Sequence, residues 1–211
     1  EKLAKIYGEL EFSTLLKTVD TSKPVPTEGF VTIRTAEQLV ELVTLLEGSD
    51  KMVFDTETTS LNARTAKLVG LSICVDLERA WYIPLGHLDV HGQLCKEQLP
   101  EMDVCKALQP VFLSGKMQKI GHNLKYDITV LSQQWGIEVA GALFDTMIAA
   151  HLTESGGQSL KLDDLCRERG LRLTSFDEVV AGDKRDDCFA YVDIDAAGVY
   201  SCEDVYGTLF L

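Results

Sequence analysis

Two acids two positions apart, Asp55 and Glu57, end the short apolar run Met52, Val53, Phe54 and precede a turn rich in Thr, Ser and Asn. Side chains alternate along an extended chain, so both carboxylates point to the same side. Carboxylates held that close repel each other, and one keeps a proton unless a cation sits between them. Hard divalent ions such as Mg²⁺ take oxygen ligands of this kind, with water and phosphate completing the shell. Taken alone, an Asp-x-Glu at a strand end is more often just a solvated turn.

Two later stretches repeat the pattern on helices. In Gly-His-Asn-Leu-Lys-Tyr-Asp at 121–127, Asn123 and Asp127 are four residues apart, which stacks them on one face of an expected helix. In Val-Tyr-Ser-Cys-Glu-Asp at 199–204, Tyr200 and Asp204 have the same spacing. Leu124, Ile128 and Leu131 make the first helix apolar on its inner side, and Ala197, Val205 and Leu209 do so for the second. Asp127 and Asp204 therefore border faces that turn inward, where an unpaired charge is costly. A cap or a surface ion pair is the plainer role for each acid alone. Four carboxylates converging on one spot would need about two divalent cations, the layout of two-metal phosphoryl chemistry.

The elements that must position these groups follow in order. Residues 1–29 read as a lead-in, with a short helix over 10–16 and a linker over 21–29. Phe30 to Ile33 is an expected strand, followed by a helix capped by Thr35, with Gln38 at capping-box distance. The acid-tipped strand 51–55 comes next, then a hairpin of 68–75 and 80–85, with Pro84 at an edge or strand end. Helices are expected over 96–113, 123–135, 145–152, 160–169 and 193–211, and strands over 117–120 and 142–144. This alternation predicts an α/β fold, a mixed sheet with helices on both faces. Asp145 is expected to cap a helix. His87, His91 and His151 read as surface or satisfied core histidines, and the loop 183–187 as solvated surface.

The bulk numbers narrow the function classes. With 211 residues, 45% of them hydrophobic, the chain can bury one good-sized core. No apolar run reaches the length of a membrane span, so no membrane partner is expected. The six cysteines include no C-x-x-C pair, which argues for buried reduced thiols over a disulfide frame or zinc knuckle. A net charge of −13 disfavours a strongly basic nucleic-acid clamp but leaves room for one whose cations are bound metals. The start at Glu1 and an end inside a helix at Leu211 suggest a piece of a longer protein.

Phe-Asp-Thr-Glu-Thr at 54–58, Gly-His-Asn-Leu-Lys-Tyr-Asp at 121–127, Phe-Asp-Thr-Met at 144–147 and Tyr-Ser-Cys-Glu-Asp at 200–204 together resemble the three exonuclease motifs of DnaQ-like 3′–5′ exonucleases. The tyrosine subclass, and within it the proofreading domain of family A DNA polymerases, is the nearest likeness, running over residues 30–211 and including Ile-Pro-Leu-Gly-His at 83–87. The resemblance implies an RNase H-like mixed five-stranded sheet. It implies that Asp55, Glu57, Asp127 and Asp204 hold two Mg²⁺ or Mn²⁺ ions and that Tyr200 orients the attacking water. Leu61 and Asn123 match positions that contact the terminal nucleotides of a single-stranded DNA 3′ end, and Phe176 one that packs on a base. His122 stands where the family commonly has Gln, and Ser159 where it often has a basic residue, with Lys161 nearby. A polymerase domain in the same chain, a monomeric state and a cytoplasmic, nucleoid-associated location (organellar if eukaryotic) are further implications.

Three other readings fit part of the pattern. A catalytically silent domain that binds single strands or braces a polymerase would share the fold. An RNase D-type RNA exonuclease would share the tyrosine. A haloacid-dehalogenase-type phosphatase also opens with acid, spacer, acid and Thr, but has no use for Tyr200 and Asp204.

Overall fold

The structure is a computed structural model that describes residues 22–153 and 159–211, so the helix expected over 10–16 lies outside the described residues. In chain order the strands are β1 (Lys23–Pro24), β2 (Phe30–Thr32), β3 (Lys51–Thr58), β4 (Leu68–Cys74), β5 (Ala80–Pro84), β6 (Gln118–Gly121), β7 (Leu143–Asp145) and β8 (Leu171–Arg172). The helices are α1 (Ala36–Glu47), α2 (Glu101–Leu113), α3 (Leu124–Trp135), α4 (Thr146–Thr153), α5 (Leu162–Glu168), α6 (Phe176–Val179) and α7 (Ile194–Phe210), with a 3₁₀ turn at Cys188–Tyr191.

Six strands form the main sheet in the order β2-β5-β4-β3-β6-β7. The hairpin supplies the antiparallel part, β3 against β4 and β4 against β5, while β2 joins β5, β6 joins β3 and β7 joins β6 in parallel. The family likeness implied five strands; the sixth is β2, which pairs with the outer side of β5 through Phe30–Ala80, Val31–Trp81 and Thr32–Tyr82. Pro84 ends β5 beyond that pairing, where a missing N–H costs no ladder bond on the β2 side. The turn before β5 is set by Asp76, whose Oδ1 accepts from the N–H groups of Glu78 and Arg79.

Local chemistry places the element ends. Thr35 and Gln38 form the expected capping box at the start of α1. The helix expected from residue 96 starts only at Glu101, because the residue before a proline avoids helical backbone and Pro100 sits at the N-cap with ψ 126°. The helix expected from Asn123 starts at Leu124 instead. Asn123 is left-handed (φ 65°, ψ 42°) and turns the chain sharply out of β6, a conformation short polar side chains tolerate.

The alternation along β3 divides the core. Met52 and Phe54 join the cluster filled by Leu39, Leu42 and Leu46 of α1, Leu108 and Phe112 of α2, and Leu124 and Leu131 of α3. Val53 points the other way, into the cluster of Tyr82, Phe189, Ala197, Cys202 and Val205 beneath α7. Small residues let α7 lie close to the sheet: a Cβ on Gly198 would come within 2.8 Å of Thr32 Oγ1. Part of the segment expected as a linker is docked. β1 pairs with β8, and Val25 is buried with Cys166, Leu171 and Leu173. All six cysteines are free thiols, and five are buried. Among the described residues no helix is long and apolar enough to cross a membrane.

Candidate active site

β3 lies between α3 on one face of the sheet and α7 on the other, and its far end is where the acids meet. Asp55 and Glu57, odd-numbered like Val53, face α7. Glu57 Oε1 accepts a hydrogen bond from Ser201 Oγ at 2.7 Å, and one carboxylate oxygen each from Asp55, Glu57 and Asp204 lie within 4.8 Å of one another. Thr56 faces the opposite helix and engages Asp127 there. Its N–H (3.1 Å) and its hydroxyl (2.6 Å) both donate to Asp127 Oδ1. Asp127 is thus outside the tight trio, buried on the α3 side and close enough to Asp55 for its charge to be felt.

The electrostatics are those of a site short of positive charge. Burial, with little to offset it, raises the Asp55 carboxyl to about 7. Burial and then the neighbouring charge of Asp55 raise Glu57 to about 8, against the lowering effect of the Ser201 hydrogen bond. Asp127 and Asp204 go well above the usual carboxylate range, first through burial and then through repulsion by Asp55, joined by Glu57 for Asp204. Burial and the same acids push the Tyr200 hydroxyl far up as well, so it keeps its proton at neutral pH. An all-oxygen donor set of close, buried carboxylates fits a hard divalent cation, which would remove the repulsion that raises these groups.

A cleft of about 750 Å³ opens over the acids. All nine residues singled out from the sequence line it: Asp55, Glu57, Asp127, Tyr200 and Asp204 with Leu61, His122, Asn123 and Phe176. Leu61 is almost fully exposed, at 97%. The Phe176 ring lies nearly parallel to Phe189, 6.2 Å away, and edge-on to Tyr200 at 6.4 Å. Asn123 does not stack over Asp127 on a helix face, because its left-handed backbone puts it ahead of the first turn. His122 is engaged at both ring nitrogens, Nδ1 with Thr146 Oγ1 and Nε2 with the Leu160 carbonyl, each at 2.9 Å. The Leu160 carbonyl can only accept, so Nε2 carries the proton, and burial holds the ring neutral. That leaves His122 a ring surface for the cleft but no free nitrogen.

Asp145 acts as the cap expected of it and more. Its carboxylate accepts from the N–H groups of Met147 and Ile148 at the start of α4, and from those of Asn123 and Leu124 at the start of α3. His87 is a satisfied core histidine, fully buried, with Nε2 on the Tyr82 hydroxyl (2.6 Å) and Nδ1 on the Val192 carbonyl (3.0 Å).

Several residues in the site escape a reading by sequence. Thr56 and Ser201 lie beside the acids they hold, yet nothing in a lone Thr or Ser marks it as a partner. Tyr126 donates to the Ser60 carbonyl at 2.5 Å and contacts Thr58 Oγ1, which ties α3 to the turn after β3. The loop 183–187, expected as solvated surface, forms one rim of the cleft. Arg185 there is held by Asp183 and lies 3.7 Å over the Tyr191 ring.

The mixed sheet and its helix layers are those of the RNase H-like exonucleases. Trypanosoma brucei RNase D superposes with a TM-score of 0.64 at 18% identity, over 91% of this chain and 64% of that one. The structure of Brucella melitensis NrnC with bound Mg²⁺ gives 0.56 at 21%, over 77% and 69%. A family profile described as 3′–5′ exonuclease matches residues 30–211, and the DNA polymerase I of Chloroflexus aurantiacus is 34% identical over 90% of this chain. The chain belongs to the 3′–5′ exonuclease family, in the branch found in family A DNA polymerases, and is a nuclease domain of the hydrolase class. It spans about a fifth (19%) of the length of that Chloroflexus relative.

Proposed function

We infer that this domain removes nucleotides from DNA 3′ ends and serves as the proofreading module of a family A DNA polymerase. The observation that carries the reading is the gathering of Asp55, Glu57 and Asp204 carboxylate oxygens within 4.8 Å, with Asp127 beside them. These four would hold two divalent ions, Mg²⁺ or Mn²⁺, and the Mg²⁺ bound in the fold relative NrnC is consistent with that. When bound, such ions would lower the pKa of the attacking water and neutralise charge on the phosphate and the leaving 3′ oxygen.

The chain's own residues supply position. Tyr200 keeps its proton, so it acts as an orienting hydroxyl rather than a base. Ser201 and Thr56 fix the Glu57 and Asp127 carboxylates in one rotamer each. Leu61 and Phe176 offer apolar contacts to the terminal bases, sequence-tolerant because every base has a stackable face. Asn123 and the edge of His122 border the same cleft. A mispaired end frays at lower cost than a paired one and so reaches the cleft more often. A polymerase region in the same chain accords with relatives about five times as long, of which this chain covers 19%. A monomer working at the chromosome, in the cytoplasm or an organelle, goes with that role.

The test is release of nucleotides from 3′-labelled oligonucleotides in Mg²⁺, DNA and RNA in parallel, for the wild type and Asp55→Ala. Mg²⁺-dependent release from DNA, abolished in the variant, is expected. Strand binding without release would identify a silent domain, and preferential digestion of RNA an RNase D-type enzyme.

A further inference from the structure

A second cleft of about 670 Å³ adjoins the first, and one loop serves both. Residues 59–67 leave β3 and return to β4. They present Leu61 to the first cleft, and Thr59, Arg64, Thr65 and Lys67 to the second. On the opposite side, Asp186 and Cys188 line the first cleft and Asp187 between them lines the second. The two clefts are thus neighbours, lined by alternating residues of the same two segments.

The loop is built to hold its side chains in place. Thr59 N–H donates to the Lys67 carbonyl, and Lys67 N–H to Thr59 Oγ1, both at 3.1 Å, so its ends are clamped together. Asn62 organises the tip: its carbonyl accepts from the N–H groups of Thr65 and Ala66, and its side chain from that of Arg64. Ala66, fully buried, plugs the loop into the core. Arg64 and Lys67 are exposed, and neither side chain has a carboxylate partner among the described residues. Two acids also line this cleft: Glu101, which accepts from Trp135 Nε1 at 2.9 Å, and Asp187. Arg64 and Lys67 share the cleft with an apolar patch of Leu88, Leu94 and Leu99.

We propose that the second cleft is a binding site for the continuing DNA single strand, with Arg64 and Lys67 on its phosphates and the leucine wall against a base. This rests on the exonuclease reading above and extends it. A chain of net charge −13 meets a polyanion well only where cations are concentrated. Because the loop that carries Leu61 also carries Arg64 and Lys67, a DNA strand gripped in the second cleft is held in register with the terminal nucleotide in the first.

The experiment is fluorescence anisotropy with fluorescein-labelled oligothymidylates of three and twelve nucleotides, using the 211-residue chain with Asp55→Ala to prevent digestion. Adding Arg64→Ala and Lys67→Ala should lower the ratio of twelve-mer to three-mer affinity by roughly fivefold or more. The salt dependence for the twelve-mer should fall by about 1.4 in log–log slope, about 0.7 for each lost phosphate contact. Arg64→Lys with Lys67→Arg should keep both, which a misfolded loop would not. An unchanged ratio and slope, with the wild-type chain still shortening DNA, overturns the second cleft alone. A parent that binds neither length, with a wild-type chain that releases no nucleotides, overturns it together with the exonuclease reading.

Discussion

Ser201 Oγ donates to Glu57 Oε1 across 2.7 Å, and this one bond ties the middle of α7 to the end of β3 at the point where the acids converge. Both residues are buried. The bond keeps Glu57 turned toward Asp55 and Asp204 rather than into solvent. Ser201→Ala should therefore weaken divalent-ion binding by roughly 10–100-fold, the usual cost of losing an outer partner of a ligand. Calorimetric titration with Mn²⁺ measures this directly, and an affinity within twofold of wild type would count against the role.

The raised carboxyls fix a pH dependence. Asp55 at about 7 and Glu57 at about 8 bind protons in the folded protein more tightly than an unfolded carboxylate does. Their contribution to metal-free stability is full below the unfolded pKa, near 4, and is lost as pH rises through about 8. A divalent ion must displace those protons, so its apparent affinity should rise by roughly tenfold per pH unit for each proton displaced. Thermal melts in EDTA and in Mg²⁺ from pH 5.5 to 8.5 should show the two curves separating as pH rises. Parallel curves would contradict the assignment.

His87 gives the opposite sign. Burial lowers it to about 4, so the folded protein resists a proton that the unfolded chain accepts near 6.5. Its effect is to remove stability as pH falls from about 6.5 to 4, by up to a few kcal/mol. A His87→Gln protein should be less stable at pH 7 yet lose less between pH 7 and 5 in urea melts. Equal losses in the two proteins would argue against a buried neutral ring.

Gly198 sets the height of α7 over the sheet. A Cβ there meets Thr32 Oγ1 at 2.8 Å and Tyr82 Cδ1 at 3.4 Å. Gly198→Ala should cost about 1–3 kcal/mol through overpacking and lower exonuclease activity by moving Asp204 away from Asp55. Thr32→Ala in the same protein removes the closest atom and should restore much of both. A double variant no better than Gly198→Ala would locate the strain elsewhere.

The parts of this site written in local pattern were legible before the structure. Period-two alternation put Asp55 and Glu57 on one side of a strand, and helical periodicity put Asp127 and Asp204 at inward-facing borders. What depended on contacts far apart in sequence was not. The pairing of Lys23–Pro24 with Leu171–Arg172 involves two residues a side, too short for any periodicity to register. The left-handed turn at Asn123 is demanded by β6 meeting α3, and Asp145 supports it from 22 positions away in sequence. Ser201 and Thr56 are ordinary polar residues until β3 is seen between two helix layers. The clamp between Thr59 and Lys67 at the second cleft is likewise something composition does not reveal.

Anomalous diffraction from crystals soaked in Mn²⁺ tests most directly whether carboxylates of three segments hold cations for phosphodiester hydrolysis. Strong peaks are expected within coordination distance of Asp55, Glu57 and Asp204, with Asp127 completing the set, and they should be lost in Asp204→Asn. Peaks confined to surface acids such as Asp183 and Asp186, or unaltered in that variant, would contradict that expectation.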